Sequence, residues 1–223
     1  MPQRKSKNFF LYLFLFLILG TIHNLDLKNI DYLKVKNIKI TGLEKIETPK
    51  LYNNLSYLKL QNLFFLNKSK IDKILMTNSS IENYSAFRIF PSTLKIDIKK
   101  TNILANTYKD GSNFLIGTNG KLIKTNKIRN DKPFVFGNFK NDKFLEFKNT
   151  VDKSKLKFTE IKKIYFFDSG RWDIEMIDGI IIRLPQKKLE NALNLSFNLI
   201  AHDEFKKVGI IDIRVKNQVI INE

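Results

Sequence analysis

The chain has 223 residues, no cysteine, two histidines and a formal net charge of +17. The lack of cysteine excludes disulfides and thiolate metal sites, and two isolated histidines argue against a His-based metal site or catalytic triad. The charge comes from 33 lysines and only six arginines, and phosphate and base recognition favours arginine. We therefore expect no nucleic-acid partner.

The first 25 residues predict a membrane anchor. Three basic residues, Arg4, Lys5 and Lys7, precede an apolar segment, and residues 8–25 carry no charge. A helix of those 18 residues would be roughly 27 Å long, just enough to cross the hydrocarbon core of a bilayer. Basic residues before the segment favour a cytoplasmic N-terminus. A cleaved signal peptide and a buried soluble helix are alternatives, but the residues after Gly20 make a poor cleavage site. The predicted anchor residues are Phe9, Leu13, Phe16, Leu19 and Ile22.

We divide the chain into a cytoplasmic tail (residues 1–8), a transmembrane helix (9–25), a linker (26–34) and two exported domains (35–101 and 102–223). The first domain shows the order β-α-α-β-β. Its strands alternate apolar and polar residues, and its helices begin at recognisable caps. In chain order it has a strand at 35–40 ended by Gly42, a helix from Thr48, a helix opened by a capping box at Ser69–Asp72, a strand at 81–90, a turn at Pro91 and a strand at 94–98.

The second domain is predicted to be a strand-rich antiparallel sheet with a C-terminal helix packed on it, which makes the fold class α+β. Trp172 is expected to be a buried structural residue, and four nearby carboxylates (Asp168, Asp173, Glu175, Asp178) are expected to form the wet face of a hairpin rather than a catalytic set. In chain order the domain has strands at 103–108, 113–116 and 121–123 with a turn at Asn119–Gly120, a loop at 133–137, a helix at 142–152, strands at 161–167 and 172–176, a turn at Asp178–Gly179, a strand at 180–184, a helix with Leu189, Ala192, Leu193, Leu199 and Ile200 on its apolar side, and strands at 210–214 and 218–221.

Several motifs, in order along the chain, resemble the bacterial cell-division protein family FtsQ, called DivIB in other bacteria. Residues 35–101 are similar to its POTRA domain. The motifs that carry the resemblance are Val35 through Gly42, Asn62-Leu63-Phe64, Arg88-Ile89-Phe90-Pro91-Ser92-Thr93-Leu94-Lys95-Ile96, Phe114-Leu115-Ile116 through Gly120, Pro133 through Gly137, Trp172 through Leu184, and Ile211-Asp212-Ile213-Arg214.

The resemblance implies a non-enzymatic scaffold of the division septum, without cofactor or metal. It would be a single-pass type II protein of the inner membrane with periplasmic domains, and its partners would be FtsB-like and FtsL-like division proteins. A chain that ends on a β-strand can present an open sheet edge to a partner strand. The alternatives are another POTRA-bearing transport or assembly component and an envelope enzyme. The predicted partner-binding residues are Arg214, Val215, Gln218, Val219, Ile220 and Ile221, and the predicted structural residues are Gly42, Pro91, Trp172 and Gly179.

Overall fold

The computed structural model describes residues 7–22, 33–43, 48–202, 208–215 and 218–222. The predicted tail residues Arg4 and Lys5, most of the linker, and the predicted turn at 216–217 lie outside these ranges. The helices are α1 Lys7–Ile22, α2 Thr48–Leu55, α3 Lys68–Thr77, α4 Asn141–Lys153 and α5 Leu189–Ile200. The strands are β1 Asn37–Thr41, β2 Ile81–Ile89, β3 Thr93–Lys100, β4 Ile103–Lys109, β5 Ser112–Gly117, β6 Leu122–Lys124, β7 Phe134–Phe136, β8 Ile161–Phe166, β9 Trp172–Met176, β10 Ile181–Arg183, β11 Ile210–Asp212 and β12 Ile220–Asn222.

The chain forms two compact units. The first comprises Met1–Asn78 and Asn83–Lys99, and the second comprises Ser79–Glu82 and Lys100–Glu223.

The helix α1 is apolar all round. The side chains of the predicted anchor residues Phe9, Leu13, Phe16 and Leu19 are exposed, whereas the side chain of Ile22 lies outside the described part. The helix has 16 residues. Within the described ranges, no helix has both the length and the apolar character that a membrane span requires. The transmembrane helix over residues 9–25 therefore stays a prediction.

The first unit has the predicted β-α-α-β-β order. Its sheet has the strand order β1-β3-β2, with β1 parallel to β3 and Ile38 opposite Leu94. The helices α2 and α3 bury apolar side chains at helical spacing, including Leu51 and Leu55 of α2 and Leu75 of α3. These two helices and the sheet share one small core.

The capping box predicted at Ser69–Asp72 is wrong. The helix α3 begins two residues earlier than a Ser69 N-cap would place it, and Asn67 is its N-cap, with the side-chain oxygen of Asn67 accepting from the N–H of Lys70 at 3.3 Å. Asparagine satisfies the unpaired N–H groups of a first helical turn as well as serine does, and here it comes first along the chain.

Two of the predicted structural residues, Gly42 and Gly179, have positive φ, at 87° and 95°. A Cβ on Gly42 would lie 1.8 Å from the backbone oxygen of Ile98, so this close approach tolerates only glycine. Pro91 follows β2 in the turn that leads to β3, after a cis peptide bond.

The second unit contains a nine-stranded sheet with the order β12-β11-β10-β9-β8-β7-β4-β5-β6. The prediction of an antiparallel sheet is wrong in part, because β4–β7, β7–β8 and β10–β11 are parallel pairs. The chain connects β7 to β8 through α4, and β10 to β11 through α5. Such crossovers return the chain in the same direction and produce parallel neighbours. The predicted loop at Pro133–Gly137 contains β7.

The core of the second unit lies between this sheet and the helices α4 and α5. Helix α4 buries Phe144, Phe147 and Val151, and α5 buries Ala192 and Leu193. Phe144, Phe147 and Val151 are three or four residues apart, and Ala192 and Leu193 lie four and three residues before the buried Ser196, so each set lies on one helix face. The helix predicted after the hairpin is present as α5, and it contributes to the same core as the sheet.

Trp172, at the start of β9, is 7% exposed and belongs to this core. Its ring centroid lies 4.6 Å from that of Phe166, 4.8 Å from that of Phe147 on α4, and 5.9 Å from that of Phe139. These are distances at which aromatic pairs attract beyond simple area burial. Trp172 therefore joins the sheet to α4.

Replacing Trp172 with alanine should lower the free energy of unfolding by about 3–5 kcal/mol, because a large cavity is left among the neighbouring rings. Urea titration of the full chain, followed by circular dichroism, measures the loss. Tyr108→Ala is the matched control, since Tyr108 is exposed and its removal should change the free energy by less than about 0.5 kcal/mol. Equal midpoints for the two variants would contradict this role of Trp172.

Candidate partner-binding edge

The last strand, β12, lies at one end of the nine-stranded sheet. It pairs antiparallel with β11, with Ile210 opposite Asn222, Ile211 opposite Ile221, and Asp212 opposite Ile220. Among the described residues no strand pairs with its other side, which is therefore an edge of the sheet. The five residues from Gln218 to Asn222 are all exposed.

Hydrogen bonds of the neighbouring pair determine which backbone groups face this edge. On the β10 side, the Gly209 oxygen accepts from the Ile181 N–H at 2.9 Å, and the Ile213 N–H donates to the Arg183 oxygen at 3.0 Å. Successive residues of a strand direct their backbone groups to opposite sides. Ile210 and Asp212 of β11 therefore direct their N–H and C=O groups toward β12.

The same alternation applies to β12. Asn222 and Ile220, which lie opposite residues 210 and 212, direct their backbone groups toward β11. In agreement, the Asn222 oxygen also accepts from the Gly209 N–H at 3.0 Å. Ile221 lies between them, so its N–H and C=O point away from β11, along the sheet plane. The edge therefore offers one donor and one acceptor at Ile221 to an added strand.

Apolar side chains accompany this edge. Val215, Val219, Ile220 and Ile221 are among the exposed large hydrophobic residues. A groove of about 660 Å³ begins beside Arg214 and Val215 and extends along the start of α5, where Lys187, Lys188 and Leu195 also line it. An apolar floor with basic residues at its rim fits a partner segment that carries apolar and acidic residues.

Arg214 is bound within its own chain. Its Nε atom donates to both carboxylate oxygens of Asp212, at 2.8 and 2.9 Å, and Nη2 donates to one of them. The backbone N–H of Arg214 donates to the same carboxylate at 3.1 Å, and Nη1 of Arg183 lies 3.6 Å away. Arg214 is one of the predicted partner-binding residues, and in the structure its guanidinium group binds Asp212 at the end of β11.

Asp212 is buried. The hydrogen bonds from Arg214 hold the pKa of the Asp212 carboxyl below its usual value, against the opposing effect of burial. Charge-assisted bidentate pairs of this kind are stronger than neutral hydrogen bonds. The pair therefore stabilises β11, on which β12 depends for its only strand partner in the described sheet.

The prediction that Asp173 lies on a solvent-exposed face of the hairpin is wrong, because Asp173 is only 5% exposed. Its carboxylate accepts from Nε of Arg171 at 3.1 Å and from the Leu184 N–H at 3.3 Å. Burial raises the pKa of Asp173 although Arg171 opposes the shift. The long side chain of Arg171 covers the Asp173 carboxylate on this face of the hairpin. The alternation of residues along the strand therefore could not show that Asp173 is buried.

Arg183 lies between the two buried carboxylates in strand register. It is opposite Asp173 of β9 and beside Asp212 of β11. Asp173 is paired with Arg171, two residues before it, and Asp212 is paired with Arg214, two residues after it. This arrangement neutralises buried charge and offers no free nucleophile. In the part of the chain that the structure describes, no cluster of three or more potential metal ligands occurs.

Two family models match the chain. The POTRA domain of FtsQ type matches residues 33–100, and the C-terminal domain of the cell-division protein FtsQ/DivIB matches residues 105–214. Together they cover most of the sequence, so the chain belongs to the FtsQ/DivIB family of bacterial cell-division proteins.

Curated relatives agree. The chain is 26% identical to the cell division protein FtsQ of Rickettsia bellii over 200 residues, which is 85% of this chain and 72% of the relative. It is 26% identical to the cell division protein DivIB of Clostridium botulinum, over 95% of this chain and 89% of the relative. The solved extracytoplasmic domain of DivIB from Geobacillus stearothermophilus is 17% identical and covers 46% of this chain and 93% of that domain, with a TM-score of 0.36.

Asp212→Asn should lower the free energy of unfolding at pH 7, because Arg214 and Arg183 lose their buried counter-charge. Since the folded-state pKa of Asp212 is lowered, its contribution is present above the unfolded pKa of about 3.9 and disappears as the pH falls through the folded pKa. In urea titrations at a series of pH values, the difference between the two proteins should therefore begin to shrink below about pH 4 and vanish below the folded-state pKa.

The exposed residue Asp168 supplies the control, since Asp168→Asn should match the wild type throughout. A deficit of Asp212→Asn that stays constant down to the most acidic sample would contradict the ion-pair account.

Proposed function

We propose that the chain is a non-enzymatic scaffold of the cell-division machinery that binds an FtsB-like protein by strand addition at β12. Membership of the FtsQ/DivIB family supports the division role. The observation that carries the binding mode is the outward N–H and C=O of Ile221 at the end of the sheet. Backbone hydrogen bonds from an added strand would provide affinity, and side-chain pockets would provide specificity.

The partner would be an extended segment that continues along the groove beside α5. Its apolar residues would pack on Val219 and Ile221, and its acidic residues would lie near Lys187 and Lys188. Arg214 would act by keeping β11 in place through Asp212. An FtsL-like protein would join through the same complex, as the family resemblance implies.

Inner-membrane anchoring is part of the proposal. We propose that α1 and the residues that follow it hold the chain in the membrane as a single-pass type II protein, with both units in the periplasm. The support is the basic tail before an uncharged segment and the helix α1, whose apolar side chains are exposed all round.

Ile221→Pro tests strand addition directly. Proline removes the outward N–H without removing a bond to β11, and it leaves an acceptor of the partner unsatisfied, at a cost of about 1–3 kcal/mol. Affinity for the purified FtsB-like partner should fall roughly 5- to 150-fold, measured by calorimetry or by co-purification from membranes.

Ile221→Val is the matched control, since it keeps the N–H and a similar apolar side chain, and it should bind like wild type. Folded Ile221→Pro protein, verified by circular dichroism, that binds the partner with wild-type affinity would exclude β12 as the interface. The first unit would then become the better candidate.

The orientation of the chain in the membrane can be tested separately from the β12 interface. Alkaline phosphatase fused after Glu223 should be active, because it reaches the periplasm, whereas a fusion before residue 8 should be inactive. An inactive C-terminal fusion in an expressed, intact protein would contradict the type II orientation while leaving the β12 interface untouched.

A further inference from the structure

Four large apolar side chains form an exposed patch on the first unit. They are Leu60, Phe64, Phe65 and Phe90, called here the Leu60–Phe90 patch. Leu60 is 78% exposed, and each of the three phenylalanines is more than half exposed. The rings of Phe64 and Phe90 contact one another, with centroids 4.8 Å apart. Exposed apolar side chains that contact one another, as Phe64 and Phe90 do, mark an interaction site more often than scattered ones do.

The patch surrounds the place where the chain enters the unit. The Leu60 N–H donates to the Val35 oxygen at 3.3 Å, and the Val35 N–H donates to the Gln61 oxygen at 2.9 Å. On the other side, the Lys36 N–H donates to the Ser92 oxygen at 2.9 Å, two residues after Phe90. Residues 34–36 therefore run between the segments that carry the patch.

This position ties the patch to α1. Eleven peptide units separate Ile22, the last residue of α1, from Leu33. Even a fully extended chain of this length reaches only about 40 Å. If α1 is held in a bilayer, as proposed above, the patch is on the part of the unit that the tether keeps nearest to the lipid surface.

Basic residues predominate around the patch. Residues 33–43, 56–71 and 85–96, which carry and flank it, contain eight basic residues, of which Lys95 is paired with Asp97 at 2.8 Å. Lysine and arginine next to an anionic lipid surface are attracted to it, and aromatic rings at the same level are typical of proteins at the membrane interface. An acidic protein surface would match the charge, but it would not explain why the patch lies at the tether.

Leu60 itself has an unusual backbone. Its φ is +75°, a conformation that suits glycine or asparagine and costs free energy in leucine. Its side chain gains little burial in return. A strained residue of this kind is a sign of selection for something other than the stability of the fold.

We propose that the Leu60–Phe90 patch inserts into the interface of an anionic lipid bilayer and holds the first unit against the membrane. The inference rests on the membrane anchoring proposed above and adds a second membrane contact. The first unit would then be held at the membrane surface by its own residues as well as by its linker to α1.

The experiment uses the absence of cysteine in the sequence. Phe65→Cys in the full chain is labelled with an environment-sensitive nitrobenzoxadiazole dye, and the protein is reconstituted into phosphatidylcholine vesicles with or without phosphatidylglycerol. Flotation in a sucrose gradient reports the α1 anchor, and the dye reports the patch. The matched control is Ile177→Cys, because Ile177 is an equally exposed apolar residue of the second unit.

In floated protein, the dye at residue 65 should show blue-shifted emission and quenching by spin-labelled lipid, more strongly with phosphatidylglycerol, whereas the dye at residue 177 should stay aqueous. Leu60→Asn should reduce the inserted fraction relative to the free fraction about tenfold or more. Its thermal midpoint should stay the same or rise, because asparagine tolerates positive φ better than leucine.

Floated protein with an aqueous dye at residue 65 overturns the patch proposal alone and leaves the anchor standing. A chain that does not float contradicts both. Insertion that is independent of phosphatidylglycerol overturns the assignment to an anionic surface. A dye that is aqueous in pure lipid but buried in native membranes assigns the patch to a protein partner instead, which also overturns the proposal.

Discussion

The second unit depends on burying one face of a nine-stranded sheet beneath α4 and α5. Trp172 is central to this packing, because its ring contacts Phe166 of the sheet, Phe147 of α4 and Phe139 of the connecting segment. The two helices that cover the face are also the crossovers that make β7–β8 and β10–β11 parallel. The same two helices thus determine both the core and the order of the strands. This order places β12 at the end of the sheet.

The ion pairs of Asp212 stabilise the end of the sheet. A strand as short as β11 has few backbone hydrogen bonds with which to support another strand. The carboxylate of Asp212 adds a link to Arg214 beyond the strand and to Arg183 of the neighbouring strand. Because the carboxylate is buried, breaking this link would leave an uncompensated charge, which is costly. Asp212 and Arg214 therefore act on β12 indirectly, through the position of β11.

Helices were easier to predict from the sequence than strand pairing. The 3.6-residue periodicity of α5 gave its apolar side, on which Ala192 and Leu193 are buried, and the helix predicted at 142–152 is α4. Strand β7 was missed because three residues between Pro133 and Gly137 resemble a loop in isolation. The burial of Asp173 was missed because alternation assigns faces but does not show that Arg171 covers one of them. The outward direction of the Ile221 N–H depends on register across three strands, which no local pattern contains. The comparisons established the family, while the partner and the membrane contacts remain proposals argued from the exposed surfaces.

The central claim is that a partner strand pairs with the free side of β12, and amide hydrogen exchange at Ile221 tests it most directly. In the free protein the Ile221 amide should exchange rapidly, since it faces solvent, whereas the Ile220 amide should be partly protected by its bond toward β11. Addition of the FtsB-like partner should slow exchange at Ile221 strongly and at Ile220 only slightly. Rapid exchange at Ile221 in a saturated complex would contradict the claim.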